Sequence, residues 1–217
     1  MRRLCIVCEG PTESEFVRAC LAPHLREHGL WVYGSILQAR SGRHRGGRVT
    51  IERLGRHLAH EYHNFDRITT LVDYYGFQDR EDRNQSALEA AVLEEAKKWS
   101  RNGLDPRFVR PYVQMHEFEA LLFADIEKFS LLLDGWSTAI QAELLAVRNA
   151  FSNPEQINDG PMTAPSKRIL SIFANGEYSK MEHGPLIAEK IGLPTIRHLC
   201  PGFHEWVSGL EVWGDTK

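Results

Sequence analysis

The stretch Leu4-Cys5-Ile6-Val7-Cys8-Glu9-Gly10-Pro11-Thr12-Glu13 decides how the chain is read. Five apolar residues stop at an acid, a glycine and a proline, which marks a short buried strand followed by a turn. Thr12 stands at a helix N-cap position with acidic Glu13 and Glu15 in the first turn. Phe16, Val17, Cys20, Leu21 and Leu25 recur at helical spacing until Gly29. The unit is a strand, a tight turn and a helix, with a glutamate on each side of the turn.

The same alternation continues outward. Leu30–Ala39 reads as a second strand, 40–48 as a Gly- and Arg-rich loop, and Thr50–His63 as an amphipathic helix. Arg67–Val72 is a third strand ending at Asp73. Residues 76–85 are polar and loop-like, Ser86–Trp99 is a helix, and Phe108–Met115 is a fourth strand. A β-α-β-α-β-α-β order predicts an α/β fold, a mostly parallel sheet with helices on both faces. From His116 onward the pattern is mainly helical: 116–124, 126–133, 137–150, a helix opening at Ser166, and one or two more within 184–211. The expected organisation is an α/β core over 1–125 and a helical C-terminal extension over 126–217, packed on that core.

Composition sets outer limits. With 217 residues, 42% hydrophobic and 25% charged, the chain is long enough for a core and too ordinary for a disordered tail or a coiled coil. Lys plus Arg number 26 against 29 Asp plus Glu, a net charge of −3, which excludes nucleic-acid binding by bulk charge but not by a local basic patch. No apolar run reaches the roughly 18 residues of a membrane-spanning helix, and the N-terminal one is too short for a signal peptide. Cys5 and Cys8 form a C-x-x-C, but positions three apart on a strand face opposite ways, so buried free thiols in a reducing cytoplasm are expected.

Open parallel sheets bind ligands beyond the carboxyl ends of their strands. Glu9, Asp73 and the pair Glu117 and Glu119 follow strands one, three and four, and Glu13 lies one turn into the first helix. Several carboxylates at adjacent strand ends suit a hard cation, Mg²⁺ or Mn²⁺, and metal-assisted phosphodiester chemistry. Glu9 and Glu13 are the candidates for general base. Arg40, Arg43, Arg45 and Arg48, spaced by glycines, are candidates for clamping phosphate, and Lys167 and Arg168 for contacting it. Lys167 is the candidate for neutralising charge in the transition state. His57, His60 and His63 lie three apart without a zinc motif beside them, and His116 adjoins the acids. No Walker A signature is present, so no ATP hydrolysis by this chain is expected.

Three motifs carry a resemblance: Cys8-Glu9-Gly10-Pro11-Thr12-Glu13, Leu71-Val72-Asp73-Tyr74-Tyr75, and His116-Glu117-Phe118-Glu119-Ala120-Leu121-Leu122-Phe123. Pro154-Glu155-Gln156-Ile157-Asn158-Asp159-Gly160, Ala164-Pro165-Ser166-Lys167-Arg168 and the stretch from Cys200-Pro201 to Trp206 join them. Together they resemble the bacterial domain of unknown function 4276 over nearly the whole chain. That family in turn resembles Toprim-type domains, including nucleases of the overcoming-lysogenization-defect type. The resemblance implies a Toprim-like core and metal binding by Glu9, Glu13, Asp73 and Glu119, with Glu117 as second choice for the last position. It also implies a nuclease, with DNA the expected nucleic acid, serving phage or mobile-element defence with an AAA- or ABC-type ATPase partner. One departure stands out. The Toprim Asp-x-Asp reads Asp73-Tyr74-Tyr75 here, so the second acid is missing unless Asp79 or Asp82 replaces it. A catalytically degenerate binding or assembly subunit and a phosphoryl-transfer enzyme for a small nucleotide are the alternatives. The sequence leaves oligomeric state open, a homo-oligomer included.

Overall fold

A computed structural model describes residues 1–37, 49–131, 134–158, 160, 163–174 and 176–215. The arginine-rich segment with Arg40, Arg43, Arg45 and Arg48 lies outside the described residues.

Strand β1 (Arg2–Cys8) lies between β2 (Leu30–Ile36) and β3 (Arg67–Asp73), and the short strands β4 (Val109–Arg110) and β5 (Val113–Gln114) both continue along β3. Every pairing is parallel. The chain leaves β1 toward β2 on one side and returns to β3 on the other. The topological switch therefore falls between β1 and β3, where Cys8 pairs with Leu71. Glu9 and Asp73 flank that crevice.

The alternation of β1 divides the core. Cys5 and Val7 join one apolar cluster with Leu54 and Leu58 of α3 (Ile51–Glu61) and with Leu88, Val92 and Ala96 of α4 (Gln85–Trp99). Leu4, Ile6 and Cys8 join the other cluster, together with Phe16 of α1 (Pro11–Phe16) and Leu25 of α2 (Ala22–Glu27). A π-helical turn, Val17–Leu21, links α1 to α2. The two cysteines thus lie on opposite faces as buried free thiols, and burial pushes the Cys5 thiol up to about 12. Both thiols are therefore packing groups rather than ligands or redox partners.

The second cluster also takes in the C-terminal helices α5 (Thr138–Asn149), α6 (Pro165–Ile172), α7 (Lys180–Ile191), α8 (Leu193–Leu199) and α9 (Pro201–Asp215) through Leu144, Ile169, Ile187, Ile196 and Phe203. Trp206 of α9 stacks on Tyr112 with centroids 4.5 Å apart and donates to Thr69 Oγ1 at 2.8 Å, so α9 is tied to β3 directly. Glu155 accepts the backbone N–H groups of Gly202 and Phe203 at 2.8 and 2.9 Å. This satisfies two of the open donors at the start of α9 and gives the Asn153-Pro154-Glu155 stretch a structural role. Among the described residues no helix is long and apolar enough to cross a membrane.

Several elements differ from the sequence expectation. The fourth strand is split in two by Pro111, which has no N–H for the ladder. Thr70 Oγ1 bridges the break by accepting the Tyr112 N–H at 2.7 Å and donating to the Tyr112 carbonyl at 2.6 Å. The first helix begins at Pro11 with Gly10 as its cap, not Thr12. Helix α4 begins at Gln85, because Asn84 rather than Ser86 accepts the capping N–H, from Ala87 at 2.9 Å. Residues 118–124 and 126–131 form 3₁₀ turns instead of α-helix. The C-terminal helical run is three helices and starts at Lys180.

Helices α3 and α4 meet at Gly55, where a Cβ would stand 2.7 Å from Glu95 Cβ and 2.9 Å from the Ala96 backbone nitrogen. Gly55→Ala is expected to cost about 1–3 kcal/mol by overpacking. The shift of the urea midpoint at constant slope measures it.

Candidate active site

The turn after β1 sets the first half of the site. Glu13 folds back so that its Oε2 accepts the Gly10 N–H at 2.8 Å. This locks the glutamate over the helix start, and only 7% of its surface remains exposed. Glu9 points into the crevice, steadied by the Asp73 backbone N–H, while its Oε2 is buried with no hydrogen-bond partner among the described residues. Gly76 makes room for that oxygen, since a Cβ there would overlap Glu9 Oε2. The sequence reading placed Gly76 in a polar loop and missed this role.

The second half comes from β3 and the chain after β5. Asp73 Oδ1 accepts the Phe118 N–H at 2.8 Å, which brings the 3₁₀ turn bearing Glu119 beside the strand end. Glu119 is buried at 3% exposure, and Glu117 Oε2 accepts the Ser166 N–H at the start of α6 at 2.9 Å. Both acids therefore face the site, including Glu117, which was only the second choice on sequence grounds. Lys180 at the start of α7 supplies a cation, 3.3 Å from Glu119 and 4.0 Å from Glu117. It is the lysine that the sequence reading missed. Lys167 is exposed, and Arg168 donates to the Thr163 carbonyl at 2.7 Å. The helix carrying them meets the site through the Ser166 backbone.

Electrostatics follow from five acids facing one lysine. Burial, aided by Glu9, raises Glu13 to about 7, although the Gly10 N–H opposes it. Burial raises Glu119 to about 7 against the pull of Lys180. Asp73 is driven well above the usual carboxylate range by burial and by Glu13, Glu9, Glu119 and Glu117. Glu9 is raised mainly by burial. Burial works against the charge of Lys180, but Glu119, Glu117 and Asp73 outweigh it and raise that pKa. Arg53 of α3 also acts on Glu9 while donating to the Leu37 carbonyl at 2.9 Å.

Neither expected substitute for the missing aspartate belongs to this cluster. Asp79 accepts the Ile51 N–H at 3.0 Å and serves the start of α3, and Asp82 is exposed. Tyr75, in the second aspartate position, is hydrogen-bonded to Asn158. Tyr74, Tyr75 and His116 form an aromatic rim with ring centroids 5.4–5.9 Å apart, and the Arg80 guanidinium lies 4.6 Å over Tyr74. His57 approaches Ser35 Oγ at 3.2 Å and is not part of any metal-type cluster among the described residues. The described trio of His, Cys, Asp or Glu whose ligand atoms all lie within 4.8 Å of each other is His24, His28 and Glu211. No three acids of the crevice bring one oxygen each that close together.

The family model for a domain of unknown function, DUF4276, matches residues 8–211. The chain belongs to the DUF4276 family. The match covers all five acids and Lys180, so the crevice lies within the matched residues. No curated protein and no solved structure matches the chain.

Proposed function

We propose that this DUF4276 protein is a divalent-metal-dependent phosphodiesterase that cuts nucleic acid, DNA foremost, on a Toprim-like sheet. The observation that carries the reading is the gathering of Glu9, Glu13, Asp73, Glu117 and Glu119 at the switch-point crevice, with a buried Glu9 oxygen that has no hydrogen-bond partner among the described residues. An uncompensated buried acceptor in such a crevice fits a cation better than a purely structural role. Glu9, Asp73 and Glu119 are the holders, with Glu13 and Glu117 completing the set. Bound Mg²⁺ or Mn²⁺ would supply Lewis-acid polarisation of the phosphate and an acidified water.

The chain's own groups supply the rest. Glu13, held over the helix start by the Gly10 N–H, is the general base in this reading, with Glu9 the other candidate. Lys180 is placed to meet the charge that develops on the phosphate oxygens, the role that Lys167 was expected to fill. With Tyr75 in place of the second acid, one ion plus Lys180 is the arrangement these residues favour. Arg40, Arg43, Arg45, Arg48, Lys167 and Arg168 are proposed to hold the substrate backbone. The setting we propose is cytoplasmic phage or mobile-element defence alongside an ATPase partner.

The test is cleavage by the full chain with Mn²⁺, alone and with an AAA- or ABC-type ATPase encoded beside it. Single- and double-stranded DNA and RNA and a cyclic mononucleotide are the substrates. Cleavage of polymer that is lost on chelation and in Lys180→Met is expected. Intact polymers in every combination would overturn the proposal, and cleavage of the mononucleotide alone would favour a small-nucleotide enzyme. Tyr75, standing where the second acid would be, favours one other reading, a non-catalytic binding or assembly subunit, which predicts nucleic-acid binding without turnover.

A further inference from the structure

Away from the acidic crevice, the C-terminal helix closes on the end of the first helical stretch at a single polar point. His24 lies in α2 and His28 caps it, so the two rings are one helical turn apart on the same face, with centroids separated by 5.0 Å. Glu211 of α9 reaches them both. Its Oε1 is 2.6 Å from His24 Nε2 and 3.7 Å from His28 Nε2. One ligand atom from each residue falls within 4.8 Å of the other two. The backbone is shaped for this approach, because a Cβ on Gly214 would overlap the His28 carbonyl oxygen. Gly29, next to His28, takes a φ of +80°, which turns the chain sharply away at that point.

We propose that His24, His28 and Glu211 form a binding site for a divalent transition-metal ion of the zinc class. Two imidazole nitrogens and one carboxylate oxygen are a borderline-soft donor set, which suits Zn²⁺ and is unlike the all-oxygen set of the acidic crevice. Three protein donors leave further coordination to water or another ligand. A cavity of about 540 Å³, lined in part by His24, His198 and His204, adjoins the site and provides the room.

Arg197 is the competitor to be accounted for. Its guanidinium bonds both oxygens of Glu211, and together with His24 it holds that carboxyl down at about 2, outweighing burial. The metal would take Oε1 by displacing Arg197 Nη1, which bonds that oxygen and lies 3.3 Å from His24 Nε2. Arg197 Nη2 would keep Oε2 at 3.0 Å and Ser208 Oγ at 3.0 Å, the outer support that orients a ligating carboxylate. Occupation would clamp α2 to α9 and so raise stability with the logarithm of metal concentration above the Kd.

The experiment is Zn²⁺ titration of the full chain by calorimetry, with Co²⁺ absorption spectra as a coordination signature. One ion is expected at this site, besides any held by the acidic crevice, and its affinity is weakened on the order of 100-fold or more in His28→Ala and in His24→Ala. His28→Ala is the decisive variant, since His28 is the ring farther from Glu211 and its loss leaves the Arg197 pair intact. Glu9→Gln and His60→Ala are expected to retain the site, which separates it from the acidic crevice and from surface histidines. Absence of Zn²⁺ binding, or binding unchanged in both histidine variants, would overturn the proposal.

Discussion

Raising the pH from 5 to 8 is expected to destabilise the metal-free protein by several kcal/mol. The cause is the pair of buried glutamates whose pKa values sit near 7. Glu13 and Glu119 titrate near 4.5 when unfolded, so between about 4.5 and 7 the folded chain holds protons that the unfolded chain has released. Their contribution is fully present below about 4.5 and is lost as the pH rises through 7. Ionising a carboxyl moved that far costs on the order of 3 kcal/mol in the folded state, and the two groups repel each other as well. Glu211 acts in the opposite sense. Its carboxyl is held at about 2, so its contribution is present above about 4.5 and is lost as the pH falls toward 2. Urea midpoints of chelator-treated protein should peak near pH 5 and fall toward pH 8, and Glu13→Gln should flatten the fall. Midpoints that stay level or rise between pH 5 and 8 would show that the acids are not desolvated as described.

The second large effect is expected at Asp73. Asparagine keeps a carbonyl oxygen able to accept the Phe118 N–H, so the turn carrying Glu119 survives, but the charge is lost. Metal-dependent cleavage should fall by about 100-fold or more. Stability at pH 8 should rise, because a buried carboxylate surrounded by Glu9, Glu13, Glu117 and Glu119 has been removed. Opposite signs on the two readouts are the mark of a functional residue held at a cost to the fold. A variant that loses activity by unfolding would show a lower urea midpoint instead.

Much of this architecture is visible in the amino-acid pattern. Strands β1 and β3 are short apolar runs ended by acids, and the alternation with helices makes the parallel sheet the natural solution. Once the sheet is parallel, its carboxyl edge selects Glu9, Asp73, Glu117 and Glu119 without reference to anything else. The misses have local causes. Pro111 interrupts the fourth strand while leaving its hydrophobic pattern intact. Gly184 and Pro185 look like a helix boundary, yet α7 runs through them from Lys180. That hid Lys180, which lies within reach of the acids. The His24, His28 and Glu211 cluster carries an i, i+4 histidine pair that the sequence does display, but Glu211 lies 187 residues from His24, and only the docking of α9 brings it there. Glu155 was visible as part of a motif, whereas its capping of α9 depends on tertiary placement.

The central claim is that the acidic crevice binds a divalent cation. Calorimetric titration of the full chain with Mn²⁺ tests it most directly, with His28→Ala as background so that the α2–α9 site does not contribute. The account predicts one saturable site at pH 8 that disappears in Glu9→Gln and in Asp73→Asn. A chain that takes up no Mn²⁺, or takes it up equally well without those two carboxylates, would contradict it.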